Sequence, residues 1–177
     1  AALETMSCRA ASLSREDASA ARALAVGSLE DEDCYVRRAA VKAMVCLTSV
    51  LRPSGEASAE DAGGEYLDYA LGCCGDKDEG VRVVALGALA ELTAERCCGG
   101  GGGRGSAAAA AVEKLLGDGD DDVRKAAVAA AGRIAPLGDA AWMAKVAGLM
   151  KDDVDESVRQ AAVRALARLA PPGGEDE

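Results

Sequence analysis

Cysteine is the residue of this sequence whose arrangement most resembles a site for chemistry, because it occurs in two adjacent pairs. Cys73-Cys74 and Cys97-Cys98 would supply four thiolates, a ligand set that structural zinc sites use. Adjacent cysteines, however, chelate poorly compared with the Cys-x-x-Cys spacing. The apolar periodicity also places the two pairs at opposite ends of a helical hairpin, roughly 20 Å apart. We therefore predict no metal site and interpret these cysteines as small apolar residues.

Two other segments have compositions that could bind ions. The acidic segment GDGDDD, at 117–122, lacks the glutamate that an EF-hand calcium loop needs at its twelfth position, where this sequence is already an apolar helix. The glycine run GGGGGRG, at 99–105, lacks the Lys-Ser/Thr ending of a phosphate-binding loop. The sequence contains no histidine, which removes Ser-His-Asp and Cys-His catalysis. We predict no catalytic residue and no cofactor.

The composition indicates an all-α fold and limits the partners. Half of the 177 residues are apolar, but with no Phe, one Trp and three Tyr, burial must come from Ala, Leu, Val and Met, of which Ala and Leu are strong helix formers. The net charge of −10 argues against a nucleic-acid partner. No apolar run reaches the roughly 18 residues of a membrane span, and no signal peptide is visible. Seven cysteines, an odd number, indicate reduced thiols, so we expect an intracellular, cytoplasmic protein.

One helical pattern occurs four times along the chain. Each copy has a Val-Arg pair, with an aspartate three residues before the valine and apolar residues four, eight and eleven residues after it. These offsets trace one face of an α-helix, and the aspartate falls at the N-cap, where its carboxylate accepts unsatisfied backbone N–H groups. The four sets are Asp33/Val36/Arg37/Ala40, Asp78/Val81/Arg82/Ala85, Asp120/Val123/Arg124/Ala127 and Asp155/Val158/Arg159/Ala162.

A second helical stretch precedes each capped helix, and a short acidic turn joins the two. The unit is therefore helix A, acidic turn, helix B, with the A helices expected at roughly 15–29, 65–74, 106–116 and 139–150. Residues 1–13 fit the end of a preceding helix B, so we expect a piece of a longer array. The predicted repeats are 14–51, 65–98, 106–135 and 136–170, with flexible insertions at 52–64 and 99–105 and an acidic tail at 171–177.

The repeated Asp-x-x-Val-Arg-x-x-Ala pattern resembles the HEAT-repeat family of α-solenoids, in the variant similar to the repeats of phycobilin lyases. The resemblance covers nearly the whole chain and implies about four stacked helical hairpins, with A helices on the convex face and B helices on the concave face. It also implies aspartate–arginine pairs between neighbouring repeats. The residues assigned to this ladder are Asp33, Arg37, Asp78, Arg82, Asp120, Arg124, Asp155 and Arg159.

Basic residues are concentrated on the predicted B helices. Ten of the twenty Lys and Arg residues lie there, and six of the twelve positions facing away from the packing stripe are basic, although the net charge is −10. We predict that this basic stripe binds an acidic segment of a protein partner. The alternative is that these cations only complement the helix C-terminal halves. The stripe consists of Arg38, Lys42, Lys125, Arg133, Gln160, Arg164 and Arg168.

The leading functional hypothesis is a non-enzymatic scaffold, because repeat arrays commonly offer an extended surface to partners. One alternative, from the resemblance, is a HEAT-like subunit of a bilin lyase or another enzyme complex. A less favoured one is a nucleic-acid-binding HEAT module, for which the aromatic residues that stack on bases are missing. The single tryptophan, Trp142, would be either a core residue between Ala-rich helices, which we favour, or a surface anchor.

Overall fold

A computed structural model describes residues 14–51, 59–94 and 103–171. Within these ranges the chain forms eight α-helices and no strand, and none of the helices is long and apolar enough to cross a membrane. In chain order they are α1 (Arg15–Gly27), α2 (Cys34–Leu51), α3 (Ala59–Cys73), α4 (Glu79–Ala94), α5 (Gly103–Leu115), α6 (Asp121–Ile134), α7 (Ala140–Asp152) and α8 (Glu156–Leu169). Odd-numbered helices are A helices and even-numbered helices are B helices.

Each B helix begins directly at or beside the aspartate that the sequence places at its N-cap. The Asp120 carboxylate accepts the backbone N–H of Val123 at 3.1 Å, which satisfies one of the donors that the first helical turn leaves free. The same arrangement recurs in every repeat, with bonds from Tyr35 to Asp33, from Val81 to Asp78, and from Ser157 and Val158 to Asp155.

Two A helices begin earlier than the sequence pattern predicts. Helix α3 starts at Ala59 and α5 at Gly103, inside the segments expected to be insertions. Glycine lowers helix propensity, and for that reason both segments resemble linkers in sequence. Several predicted segments lie outside the described residues. They are the remnant helix at 1–13, residues 52–58 and 99–102 of the two insertions, the end of the second repeat at 95–98, and residues 172–177 of the tail.

The B helices form a continuous inner layer. Helices α2, α4, α6 and α8 pack side by side in sequence, whereas among the A helices only α3 and α5 pack closely. The stack therefore curves toward the B layer, as expected for an α-solenoid, and the predicted all-α solenoid is confirmed. Three valines of the repeated pattern, Val81, Val123 and Val158, are fully buried in the core of this layer, and the fourth, Val36, is half-buried.

The A layer is held partly by long side chains. Arg22 of α1 forms an ion pair with Glu65 of α3, and Lys145 of α7 binds Glu113 of α5 at 2.6 Å. These ion pairs bridge the A helices that do not pack closely on each other. Trp142 is only 9% exposed and belongs to the hydrophobic core, with the Lys145 ammonium 5.5 Å from its ring centroid. The core interpretation of Trp142 is therefore the correct one.

Small residues are required where neighbouring B helices approach each other most closely. A Cβ atom on Gly132 of α6 would lie 3.1 Å from both Cα and Cβ of Ala165 on α8, which is closer than ordinary van der Waals contact. Gly87 of α4 is exposed, and a Cβ there would meet nothing within 4 Å. The Ala- and Gly-rich sequence of the B helices thus sets their spacing.

We predict opposite effects for substitutions at these two glycines. Gly132→Val should lower the free energy of unfolding by about 1–3 kcal/mol, because the added methyl groups overpack the α6–α8 contact. Gly87→Ala should raise it by about 0.5–1 kcal/mol through helix propensity. Urea denaturation followed by circular dichroism measures both. Equal effects of the two substitutions would show that the spacing of the B helices does not depend on Gly132.

Candidate interaction surface

The repeats are joined along one edge by arginines that begin the B helices. Nε and Nη2 of Arg37 donate to the two carboxylate oxygens of Asp76 in the next repeat, both at 2.8 Å. Nη1 donates to the carbonyls of Asp31 and Glu32 in the arginine's own acidic turn. The Arg37 guanidinium therefore hydrogen-bonds to the acidic turns of two consecutive repeats. Arg37 is buried in this contact, with 4% of its surface exposed.

We call each arginine–aspartate contact between consecutive repeats a rung. The other two rungs have the same geometry as the Arg37–Asp76 rung, with one difference. Arg124 contacts both carboxylate oxygens of Asp153, at 2.8 and 3.0 Å. Arg82 contacts Asp118 through Nη2 alone, at 2.9 Å, and its buried Nε has no hydrogen-bond partner among the residues that the structure describes. The rung between the second and third repeats is therefore the weakest of the three.

The carboxylates of the rungs are not the ones that the resemblance implies. Asp33, Asp78, Asp120 and Asp155 cap the B helices, and the arginines instead contact the aspartates two residues earlier. Those are Asp76, Asp118 and Asp153. The sequence does carry a signal for them, because an Asp-x-Asp spacing occurs in all four turns, starting at residues 31, 76, 118 and 153.

In the Asp-x-Asp pairs that take part in rungs, the second aspartate caps the B helix, and the first shapes the turn and binds the arginine of the preceding repeat. Asp76 Oδ1 accepts the backbone N–H of Asp78 at 2.9 Å and thereby shapes the turn, while both of its oxygens face Arg37. Hydrogen bonds from Arg37 hold the pKa of Asp76 below its ordinary value. Arg124 has the same effect on the pKa of Asp153. Burial raises the pKa of Asp118, but the N–H of Asp120 and Arg82 outweigh it, so that this pKa is also lowered.

The structure separates the residues of the basic stripe into two groups. Three of them already have partners: Lys125 pairs with Asp122 at 3.2 Å, Gln160 binds Glu156 at 2.9 Å, and Arg38 lies over the Tyr35 ring. The Arg38 guanidinium also packs against Gly80 of the next repeat. The other four residues are exposed and form no ion pair or side-chain hydrogen bond with a described residue. We call them the free cations: Lys42, Arg133, Arg164 and Arg168.

Three of the free cations lie close together in the fold. Arg133 is in the last turn of α6, and Arg164 and Arg168 lie one turn apart on α8, which packs against α6. The acidic turns lie at the opposite ends of these helices. Glu91 of α4 is exposed at the position equivalent to Arg133 and marks where the positive surface ends. The arrangement offers several positive charges, and no acid–base pair, to a ligand.

The cysteines of the described residues are poor candidates for chemistry. Burial raises the pKa of the Cys73 thiol to about 11 and that of Cys74 to about 12, so both stay protonated at neutral pH. No group of three or more potential metal ligands occurs among the residues described by the structure. Cys97 and Cys98, the second cysteine pair considered as zinc ligands, lie outside the residues described by the structure.

We predict that removing the charge of a ladder aspartate destabilises the array. Asp153→Asn keeps an oxygen for the turn but leaves Arg124 without a carboxylate, so the free energy of unfolding should fall by about 1.5–3 kcal/mol. Asp152→Asn, at an exposed neighbouring residue, should change it by less than about 0.5 kcal/mol. Chemical denaturation of the two variants and the wild type measures this difference. Equal stabilities would mean that the rung does not contribute to folding.

The same variant also predicts a pH dependence. A carboxylate whose pKa is lowered by folding stabilises the protein above its unfolded pKa, and this contribution is lost as the pH falls through the folded pKa. For Asp153 the stabilisation should be complete above about pH 4 and should disappear below it. The stability difference between wild type and Asp153→Asn should therefore shrink between pH 5 and pH 2, as measured by denaturation at each pH. A difference that is constant with pH would contradict the ionic role of Asp153.

Comparisons with known proteins agree with this geometry. The family model for HEAT repeats matches residues 75–167, more than half of the 177 residues. No curated protein is significantly similar to the chain. Among solved structures, one engineered protein is 23% identical with a TM-score of 0.62 over 96% of this chain and 74% of its own. A second is 24% identical, with a TM-score of 0.56 over 96% and 79%.

A designed armadillo repeat protein, solved in complex with the peptide (KR)4, is also similar. It is 23% identical with a TM-score of 0.55, over 82% of this chain and 62% of its own. These likenesses establish a shared α-solenoid fold, and the family match extends from the turn before α4, in the second repeat, to the last turn of α8. The chain belongs to the HEAT-repeat family, whose fold generally serves as a scaffold for protein interaction.

Proposed function

We propose that this protein is a non-enzymatic scaffold that binds an acidic segment of a partner protein on the concave face of its B helices. The observation that carries the proposal is the set of free cations, Lys42, Arg133, Arg164 and Arg168. They are exposed without a described counter-ion in a protein whose net charge is −10. The aspartates that cap the B helices and bind the ladder arginines, such as Asp120 and Asp153, are engaged in those contacts instead of neutralising the free cations.

The spacing of the free cations suits carboxylates on a regular backbone. Arg164 and Arg168 are four residues apart on one helix, so their side chains start about 6 Å from each other. Arg133 projects from the neighbouring helix, whose axis lies roughly 8–10 Å away. An acidic helix or an extended acidic peptide lying across α6 and α8 could therefore contact all three guanidinium groups. Glu91 would repel such a ligand from α4.

Electrostatic attraction of this kind supplies association rate and specificity more than affinity. Exposed ion pairs each contribute roughly 0.2–1 kcal/mol, but a concave basic surface focuses the field that an acidic ligand meets. A designed armadillo repeat protein of similar fold was solved with the basic peptide (KR)4. That complex supports a peptide as the ligand type, while the positive surface of this chain calls for the opposite charge on the peptide.

The location that we propose is intracellular and cytoplasmic. Cys34, Cys73 and Cys74 are free thiols, as is usual in a reducing compartment. Neither the free cations nor the ladder needs an enzymatic activity to explain it, because packing, turn formation and ligand binding account for both.

We predict that the fluorescein-labelled peptide (Asp-Glu)4 binds this protein and that the free cations decide its affinity. The variant Arg133→Glu/Arg164→Glu/Arg168→Glu should bind about tenfold or more weakly, because three favourable charges become repulsive. Fluorescence anisotropy at low and moderate salt measures the dissociation constant. Affinity should fall with added salt, since exposed charges are screened within about 10 Å at 0.1 M.

A matched variant separates local from overall charge. Lys77→Glu/Lys114→Glu/Lys151→Glu reverses three exposed lysines of the turns and A helices, none of which has a described side-chain partner. Both variants change the net charge from −10 by −6, to −16. Weakening in the arginine variant alone supports the concave site. Equal weakening in both variants would mean that the peptide responds only to net charge, and preferential binding of a (Lys-Arg)4 peptide would reverse the proposed ligand charge.

A further inference from the structure

Two of the free cations lie beside a close contact between helices α6 and α8. A Cβ atom on Gly132 would lie 3.1 Å from the Cα atom of Ala165. Arg133 follows Gly132 in the chain, Arg164 precedes Ala165, and both arginines are exposed. Because consecutive Cα atoms are about 3.8 Å apart, the Cα atoms of Arg133 and Arg164 are separated by no more than about 12 Å. Two extended arginine side chains can therefore bring their guanidinium groups to one ligand between them.

A third arginine belongs to the same part of the surface. Arg168 lies one helical turn after Arg164, so that their side chains start about 6 Å apart. No acidic residue occurs at positions 123–134 of α6 or 157–169 of α8, so neither helix supplies a carboxylate next to these arginines. We call the three residues the arginine cluster: Arg133, Arg164 and Arg168.

The position of Arg164 calls for an explanation other than the stability of its helix. Arg133 and Arg168 lie in the last turns of their helices, where a cation complements the helix dipole. Arg164 is in the middle of α8, without an ion pair or side-chain hydrogen bond to a described residue. Two like charges four residues apart on a helix destabilise it. An anion that binds between the arginines would relieve this repulsion.

The chemistry of the arginine cluster favours a phosphate over a carboxylate. A guanidinium is planar and donates two parallel hydrogen bonds to the oxygens of either group. A carboxylate has two oxygens and one charge, whereas a phosphorylated side chain has three acceptor oxygens and roughly −1.5 to −2 charges at pH 7. One phosphate can thus accept hydrogen bonds from two or three arginines at once. The three full charges of the cluster also outweigh the roughly half negative charge at each helix C-terminus.

We propose that the arginine cluster binds a phosphorylated side chain within the acidic segment of the partner protein. This inference rests on the proposed function, because it names the group that the acidic segment presents to α6 and α8. The phosphate would lie between the guanidinium groups of Arg133 and Arg164, and Arg168 would donate to the same group. A nucleic acid is a less suitable source of phosphate, because α6 and α8 have no aromatic residue on which bases could stack.

Two matched peptides test this proposal by fluorescence anisotropy. One is the fluorescein-labelled (Asp-Glu)4 peptide, and the other has phosphoserine in place of its third glutamate. We expect the wild type to bind the phosphoserine peptide about tenfold or more tightly than (Asp-Glu)4, because two or three guanidinium groups contact one phosphate.

The variant Arg133→Lys/Arg164→Lys/Arg168→Lys separates guanidinium geometry from charge. It keeps the net charge at −10 and retains a positive charge at each position. We expect it to bind (Asp-Glu)4 within about twofold of the wild type and to lose most of the preference for phosphoserine. Circular dichroism should show unchanged helix content, since the three side chains are exposed. A preference for phosphoserine that persists in this variant would overturn the proposal.

The remaining outcomes separate this proposal from the proposed function. Equal affinity of the wild type for the two peptides would overturn the phosphate site and still support binding of an acidic segment. Binding of the phosphoserine peptide alone, lost in the lysine variant, would support the phosphate site and contradict a general acidic ligand. Absence of binding by either peptide would overturn both. Tighter binding of a single-stranded oligonucleotide, or of vesicles that contain phosphatidic acid, would assign the cluster to another kind of ligand and overturn the phosphopeptide proposal.

Discussion

The bidentate contact between an arginine of one repeat and an aspartate of the next is the interaction on which this array depends. A guanidinium has donors fixed in one plane, so Arg37 can hold two backbone carbonyls of its own turn and both oxygens of Asp76 at once. A lysine ammonium could not reproduce that geometry. The rung sets the offset between consecutive hairpins, and the small residues of the B helices, such as Gly132 against Ala165, then allow them to approach.

This arrangement also determines how charge is distributed over the molecule. Carboxylates are gathered into the turns because they cap the B helices and complete the rungs. Some of the cations that take no part in the ladder, such as Arg133 and Arg168, lie on the exposed side of the B helices, toward their C-terminal ends. The net charge of −10 therefore does not describe the part of the surface around Arg133 and Arg168, where the exposed charges are positive.

In a repeat protein each unit contacts only its neighbours, so stability and binding surfaces vary along the stack. The contact of Arg82 with Asp118 is single where the other two rungs are double, which makes the junction after the second repeat the weakest rung. The exposure of equivalent residues also varies along the stack. Val163 of α8 is 54% exposed, whereas Val41, Leu86 and Val128 at the same position of the other B helices are buried.

The sequence by itself determined the helices, their order and their buried faces. Caps, apolar offsets and turn residues are local signals, and four copies of Asp-x-x-Val-Arg-x-x-Ala made them unambiguous. The basic stripe was also visible, because helical periodicity places its members on one side of each B helix. By contrast, α3 begins at Ala59, within a segment that its glycines predicted to be a linker, because intrinsic propensity is only a weak guide to where a helix begins.

Only the tertiary structure decided which charged groups meet. Asp76 and Asp78 are chemically identical and two residues apart, and the displacement between consecutive hairpins alone brings Arg37 to the first of them. Side-chain contacts likewise distinguish Lys125, which forms an ion pair with Asp122, from Arg133, which has no ion-pair partner among the residues that the structure describes. The burial of Trp142 depended on the helices packed around it. Periodicity specifies the face of a helix on which a side chain lies, but its partner is set by the relative position of two helices, which no local pattern encodes.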